Sequence, residues 1–177
     1  MKATRQSGMS IIEILVTLGI VAVLLGIALP DFRVWIQNTQ IRSAAEAVLN
    51  GIQTARNEAI RKNSVFELTV HDGTAWDICP SSDPYPCALP VMSRSQDEGS
   101  ANATIATTPA GSDTVAFNGL GRVVANANAS VTMTQVNIDN PTLQLAEKRT
   151  MRILVSPGGA LRLCDPMVAA GDPRACL

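Results

Sequence analysis

Gly8-Met9-Ser10-Ile11-Ile12-Glu13-Ile14-Leu15 opens an apolar run that continues to Leu29, and the reading of this stretch decides the fold. The segment before it, Met1 to Ser7, is short and basic, with Lys2 and Arg5. The 21 residues from Met9 to Leu29 carry a single charge, on Glu13, before Pro30 and Asp31 end the run. At about 1.5 Å per residue, such a helix reaches roughly 30 Å, the thickness of a bilayer core. A secretory signal would have a shorter apolar region, about 7–15 residues, followed by an A-x-A-like site. Ala28-Leu29-Pro30 is a poor match to that site. A plain membrane anchor accounts for the length and for the basic side facing the cytoplasm, but not for Glu13. A carboxylate in a spanning segment costs about 2.5–3.5 kcal/mol at the centre, less near an end, and is by default functional.

The basic leader, Gly8, the glutamate five residues further on and the apolar run together resemble the prepilins of the type IV filament superfamily. The resemblance implies cleavage by prepilin peptidase between Gly8 and Met9, N-methylation of Met9, and a role in filament assembly for Glu13, the fifth residue of the mature chain. Pro30 is the twenty-second, where these proteins commonly carry a proline, while Met9 stands where phenylalanine is usual. Cleavage leaves a charged amine in or near lipid, and an opposite charge relieves its cost. In the family, the glutamate meets the N-terminal amine of a neighbouring subunit, which fixes the axial register as a subunit enters the filament. The bland alternative is that Glu13 snorkels to the interface.

The 177 residues suffice for one ordinary domain plus an anchor. Aromatics make up only 3%, so the core is expected to be aliphatic. Of the 14 basic residues, Lys2 and Arg5 leave with the leader, so 12 stand against 15 acidic ones. A net acidic chain argues against avid, non-specific nucleic-acid binding, though a local basic patch stays open. Cys79, Cys87, Cys164 and Cys176 all follow the anchor, and an even number in a translocated domain reads as disulfides. Three pairings are available; the expected one, Cys79–Cys87 with Cys164–Cys176, closes short loops. A zinc site is not expected, because there is no CxxC pair and His71 is the only histidine. His71 beside Asp72-Gly73 reads as an exposed loop residue.

Beyond Pro30, Ile41, Ala45, Val48, Ile52, Ala55 and Ala59 recur at three- and four-residue steps and form an apolar stripe. Arg42, Glu46, Gln53 and Asn57 fall on other faces, and Glu58 with Lys62 makes a favourable i,i+4 pair. Met9 to Lys62 therefore reads as one helix of about 80 Å, with Gly19, Gly26 and Pro30 as places where it could bend. Phe66, Leu68 and Val70 alternate with Glu67 and Thr69 as a half-buried strand, and Asp72-Gly73 turns into a return strand over Ala75 to Cys79. Residues 80–113, with Pro80, Pro84, Pro86 and Pro90, read as a surface excursion, with room for a strand near Ala103 to Thr107. Thr114 to Phe117, Arg122 to Ala125, Val131 to Val136, Met151 to Val155 and Leu161 to Cys164 complete the β pattern. The expected architecture is α+β: a leader over 1–8, a transmembrane or filament-core helix over 9–29, an amphipathic half over 30–63, and a β-rich domain over 64–177. The long helix packs on an antiparallel β-sheet, the pilin fold.

Ala55-Arg56-Asn57-Glu58-Ala59-Ile60, Phe117-Asn118-Gly119-Leu120-Gly121 and Val155-Ser156-Pro157-Gly158-Gly159 with Leu161-Arg162-Leu163-Cys164 resemble elements of the FimT/GspH group of minor pilins and pseudopilins. Some FimT-type members bind DNA through a C-terminal G-R-x-R motif. The matching stretch here, Gly159-Ala160-Leu161-Arg162, keeps only the second arginine. One phosphate contact gives little affinity, so DNA binding would need Arg149 and Arg152, with Lys148 and Arg174, gathered beside Arg162. The plain alternative is solvated edge charge that discourages strand aggregation.

The leading expectation is a minor pilin of a type IV pilus-like filament, with a structural role in assembly or initiation. It would be held in the inner membrane by a single pass, with its globular domain in the periplasm and a cell-surface filament as its destination. Its partners would be prepilin peptidase, other pilins or pseudopilins, and the membrane. The alternatives are a GspH-type pseudopilin of the type II secretion apparatus and a DNA-binding minor pilin for natural transformation. An enzyme is not expected: the chain lacks a nucleophile elbow, a histidine pair, a metal-ligand cluster and a phosphate loop. No cofactor is implied, and Asp72, Asp77 and Asp83 lack the spacing of a calcium loop.

Overall fold

The computed structural model describes residues 10–98 and 100–176. Two compact units make up the chain, Met1–Trp35 and Ile36–Leu177. Helix α1 (Ile11–Lys62) starts where the Ser10 carbonyl accepts the backbone N–H groups of Glu13 at 3.1 Å and Ile14 at 3.3 Å. Helical backbone continues through Gly19, Gly26 and Pro30. The helix stops at Asn63, which takes a left-handed φ of 48°. There the Asn63 N–H reaches the Ile60 carbonyl at 3.3 Å and the Ser64 N–H reaches that of Ala59 at 3.1 Å. That pair of bonds satisfies carbonyls a helix end would otherwise leave bare. Arg61 and Lys62 stand in the last turn, where cations are favoured, and both pair with Glu58.

Ile41, Ala44, Ala45, Val48, Ile52, Ala55 and Ala59 are fully buried, so the whole expected stripe is core. They face β1 (Phe66–Val70), β2 (Trp76–Pro80) and β5 (Thr114–Phe117), together with β7 (Gln135–Asp139) and β8 (Met151–Val155). Two antiparallel sheets form. One has the order β3-β2-β1-β5-β6, where β3 is Met92–Arg94 and β6 is Val123–Val124. The other has the order β4-β7-β8-β9, where β4 is Thr104–Thr108 and β9 is Leu161–Cys164. Backbone bonds stitch the sheets together, from Met133 N–H to the Thr114 carbonyl at 2.9 Å and from Val123 N–H to the Pro157 carbonyl at 3.1 Å. The core is mostly aliphatic, as the composition required, with Phe66, Trp76 and Phe117 as its aromatics.

Several local expectations are corrected. β1 is buried on both faces: the Glu67 carboxylate accepts the Ala127 N–H at 2.6 Å and the Ser81 hydroxyl at 3.2 Å, and Thr69 meets Thr114 at 3.0 Å. Glu67 is thus satisfied by loop residues and Thr69 by its cross-strand neighbour on β5, because a buried polar group needs a partner. β2 extends through Pro80, its last residue. The 80–113 excursion contributes two edge strands: β4 falls where the sequence left room for one, and β3 is an addition. β7 begins later than the pattern over Val131 to Val136 suggested, and Thr132 instead bridges Thr114 in parallel.

Three motif residues distant in sequence meet at one point. Arg56 Nε on α1 donates to the Gly121 carbonyl at 3.0 Å. Gly121 and Gly159 have φ of 73° and 82°, and a methyl group at Gly159 would strike the Gly121 carbonyl and press on Arg56 Nε. Gly158 next to it has an ordinary φ, and a methyl group there would come no nearer than 3.9 Å to its first neighbour, Ser156 Oγ. Gly159→Ala is therefore expected to destabilise the full chain by about 1–3 kcal/mol. Gly158→Ala stays within about 0.5 kcal/mol. Urea unfolding in detergent micelles, followed by the fluorescence of buried Trp76, measures both; equal effects would show that the packing at Gly159 does not matter.

Candidate assembly helix, basic face and pocket

Every large apolar side chain of α1 from Ile11 to Leu29 is exposed, up to 80% at Ile11. Water disfavours such a surface by about 25 cal/mol for each Å², and contiguous patches of this size mark an interface with lipid or protein. Among the described residues, α1 is the one helix long and apolar enough to cross a membrane by length and composition. Glu13 lies in its first turn, where the helix dipole favours a carboxylate. Among the described residues no side chain pairs with it. Gly8 and Met9, the expected cleavage and methylation positions, lie outside the described residues. Just past the apolar run, the Phe32 and Trp35 rings are exposed and 5.5 Å apart.

β8 and β9 carry two of the expected basic residues, Arg152 and Arg162. The register sets Arg152 opposite Cys164 and Leu154 opposite Arg162, so both arginines share one face as diagonal neighbours. Arg152 Nε donates to Asn137 at 2.7 Å, and an Arg162 Nη donates to the Ala175 carbonyl at 2.9 Å. Those partners are neutral, and among the described residues neither arginine pairs with a carboxylate. The other cations differ. Lys148 pairs with Asp139 at 2.5 Å and Arg174 with Asp172 at 2.8 Å. Arg149 is exposed, and its backbone N–H donates to Asn38 Oδ1 at 2.8 Å while Asn38 Nδ2 donates to the Glu147 carbonyl at 2.8 Å. Of the five cations considered from sequence, two are neutralised, and among the described residues Arg149, Arg152 and Arg162 have no carboxylate partner.

Both disulfides have the expected pairing, Cys79–Cys87 and Cys164–Cys176. The second ties down the tail, where the Asp165 N–H also reaches the Arg174 carbonyl at 2.8 Å. His71 departs from expectation: it is half-buried, its Nε2 lies 2.8 Å from Asp77 Oδ2, and its ring lies 4.2 Å from that of Tyr85. Tyr85 lies within the loop closed by Cys79–Cys87, which brings that loop against His71. Asp83 caps that loop by accepting the Ala88 N–H at 3.0 Å. Among the described residues, no cluster of three His, Cys, Asp or Glu side chains could hold a metal.

A feature that the sequence did not reveal is a polar pocket of about 270 Å³ between α1 and the β8–β9 hairpin, lined by Gln53, Arg56, Asn57, Gly159 and Leu161. Gln53 and Asn57 were legible as polar positions off the apolar stripe, and Arg56 as part of the Ala55–Ile60 motif. Their meeting with Gly159 required the tertiary fold.

The charge pairs set the pH response. Burial disfavours the Asp139 carboxylate, but hydrogen bonds from Lys148, the Asn140 N–H and Thr150 outweigh it and hold its pKa below the ordinary value. The hydrogen bonds of Arg174 lower Asp172 to about 2, and Asp172 in turn raises Arg174. A carboxyl with a lowered folded pKa adds stability that is complete above its unfolded pKa and is lost as pH falls through the folded one. Asp139→Asn is expected to cost about 1 kcal/mol at pH 7. That cost should shrink progressively below about pH 4, as read from urea unfolding of both proteins across that range. A cost unchanged by acid would remove the ion pair as its origin.

Comparison with known proteins places this geometry. The family model described as type II transport protein GspH matches residues 44–159, more than half of the chain. That span takes in Arg56, Gly121 and Gly159. Among solved structures, the type IV minor pilin FimU of Pseudomonas aeruginosa is similar with a TM-score of 0.55 at 17% identity, over 75% of this chain and 97% of FimU. A second crystal form of FimU gives 0.51, over 71% and 97%. The minor pseudopilin EpsH from the type 2 secretion system of Vibrio cholerae aligns with a TM-score of 0.49 at 11% identity, over 73% and 99%. No curated protein matches significantly. With its long helix packed on antiparallel sheets, the chain belongs to the GspH family and is a type IV pilin-like minor pilin or pseudopilin.

Proposed function

We propose that this chain is a minor subunit of a type IV pilus-like filament, acting structurally in its assembly or initiation. The observation that carries the reading is the fully exposed apolar helix with one carboxylate, Glu13, in its first turn. In this reading prepilin peptidase cuts between Gly8 and Met9, Met9 is N-methylated, and Glu13 pairs with the terminal amine of a neighbouring subunit. The apolar helix anchors the chain in the inner membrane by a single pass until it enters the filament core, and the β-rich domain stays periplasmic or on the filament surface. The likeness to FimU in fold supports a pilus. The family description, type II transport, supports the second reading, a secretion pseudopilin.

A photocrosslinking residue at Val23 tests the assignment in living cells. Capture of pilus subunits supports the first reading, and capture of secretion pseudopilins supports the second. Capture of neither, with the leader still attached at Gly8, overturns both. Glu13→Ala is expected to lower the chain's recovery in sheared filaments by about tenfold or more while its membrane level holds, since an unpaired amine is left near lipid. Unchanged recovery would return Glu13 to simple snorkelling.

A third reading, DNA capture during transformation, rests on Arg149, Arg152 and Arg162 because Lys148 and Arg174 are held by carboxylates. Arg162→Gln should then weaken DNA binding and reduce the slope of log affinity against log salt by about 0.9. An affinity and slope untouched by the change would sink this reading.

A further inference from the structure

Arg56 differs from the other cations that α1 carries along its globular half. Arg42 pairs with Glu46, and Arg61 and Lys62 pair with Glu58. Arg56 is partly buried, and among the described residues its one hydrogen bond runs from Nε to a neutral carbonyl, that of Gly121. Its two terminal nitrogens therefore keep their N–H groups, in the wall of the pocket formed with Gln53, Asn57, Gly159 and Leu161. A partly desolvated guanidinium without a counter-charge is costly, and an incoming carboxylate relieves that cost.

The pocket suits such a guest. Gln53 and Asn57 lie one turn apart on the helix, both exposed, and line the pocket with Arg56. Their N–H₂ groups are donors, and no carboxylate lines the pocket. Gly159 keeps the guanidinium uncovered: a methyl group there would come within 3.0 Å of Arg56 Nε. A planar guanidinium with free N–H groups is the side chain best matched to a two-oxygen anion.

We propose that this pocket receives an acidic side chain, Asp or Glu, from an adjoining pilin-type subunit, so that Arg56 both locks the fold and reads a neighbour. The inference rests on the filament-subunit reading. It assigns to the globular domain a contact separate from that of the apolar helix.

The test uses the full-length chain in cells that assemble the filament, with a photocrosslinker at Asn57 in one strain and at Val23 in another. The Asn57 probe is expected to capture a peptide of a filament subunit that contains Asp or Glu. Neutralising that acid should lower capture about tenfold or more, as loss of one partner of a desolvated charge pair does. With the probe moved to Leu161, Gln53→Glu together with Asn57→Glu should have the same effect, by filling the pocket with the chain's own carboxylates. Both substitutions are at exposed positions, and neither residue makes the Arg56 bond to Gly121. Capture of a peptide without an acidic residue, or capture indifferent to either change, overturns the proposal while the Val23 probe still reports filament neighbours. Loss of capture at Val23 as well, in the unaltered chain, overturns the filament reading and this proposal with it.

Discussion

The donation from Arg56 Nε to the Gly121 carbonyl joins parts of the chain that are 65 positions apart, and Gly159 closes over both. The helix, the turn between β5 and β6, and the turn between β8 and β9 can meet there only because two of the three positions lack a side chain and adopt positive φ. The neighbouring contacts follow from that approach. Small residues on the buried face of α1, Ala44, Ala45, Ala55 and Ala59, allow close packing on the sheets. Gly51 lies so near Leu68 and Trp76 that a methyl group would stand 3.0 Å from both. Sheet packing of this density is what makes one arrangement of the two sheets preferable to others of similar hydrophobic content.

One helix carries two kinds of surface. To Leu29 it is apolar on all sides and exposed. From Ile41 it is apolar on one side only and polar elsewhere. A helix that is apolar all round is fitted to a medium without water, while an amphipathic one is fitted to the edge of a domain. The change between them falls in the stretch where the chain divides into its two compact units.

Charge is handled differently in the two units. In the globular unit Arg42, Arg61, Lys62, Lys148 and Arg174 pair with carboxylates, while Arg56, Arg94 and Arg162 donate to carbonyls, which leave their charge in place. The face of β8 and β9 retains Arg152 and Arg162 with neutral partners, and the pocket retains Arg56. In the apolar unit Glu13 stands alone among the described residues. These uncompensated charges mark the places where another molecule would change the energy most, because a compensated pair gains little from further contacts.

The long helix, its stripe from Ile41 to Ala59, the strands Thr114–Phe117 and Met151–Val155, and the short-range cysteine pairs were all legible in the sequence. Each depends on local periodicity, turn chemistry or short loop closure, which act between residues close along the chain. The family resemblance was legible too, because it is carried by short motifs. What only the tertiary structure decided was which motif meets which. Periodicity cannot show that loops cover Glu67, that the 80–113 excursion supplies strands to both sheets, or that Asp139 and Asp172 neutralise two of the expected basic residues. Nor can it bring Arg56 to Gly121 and Gly159. Those outcomes depend on contacts between residues far apart in the chain, which exist only once the sheets and the helix have packed.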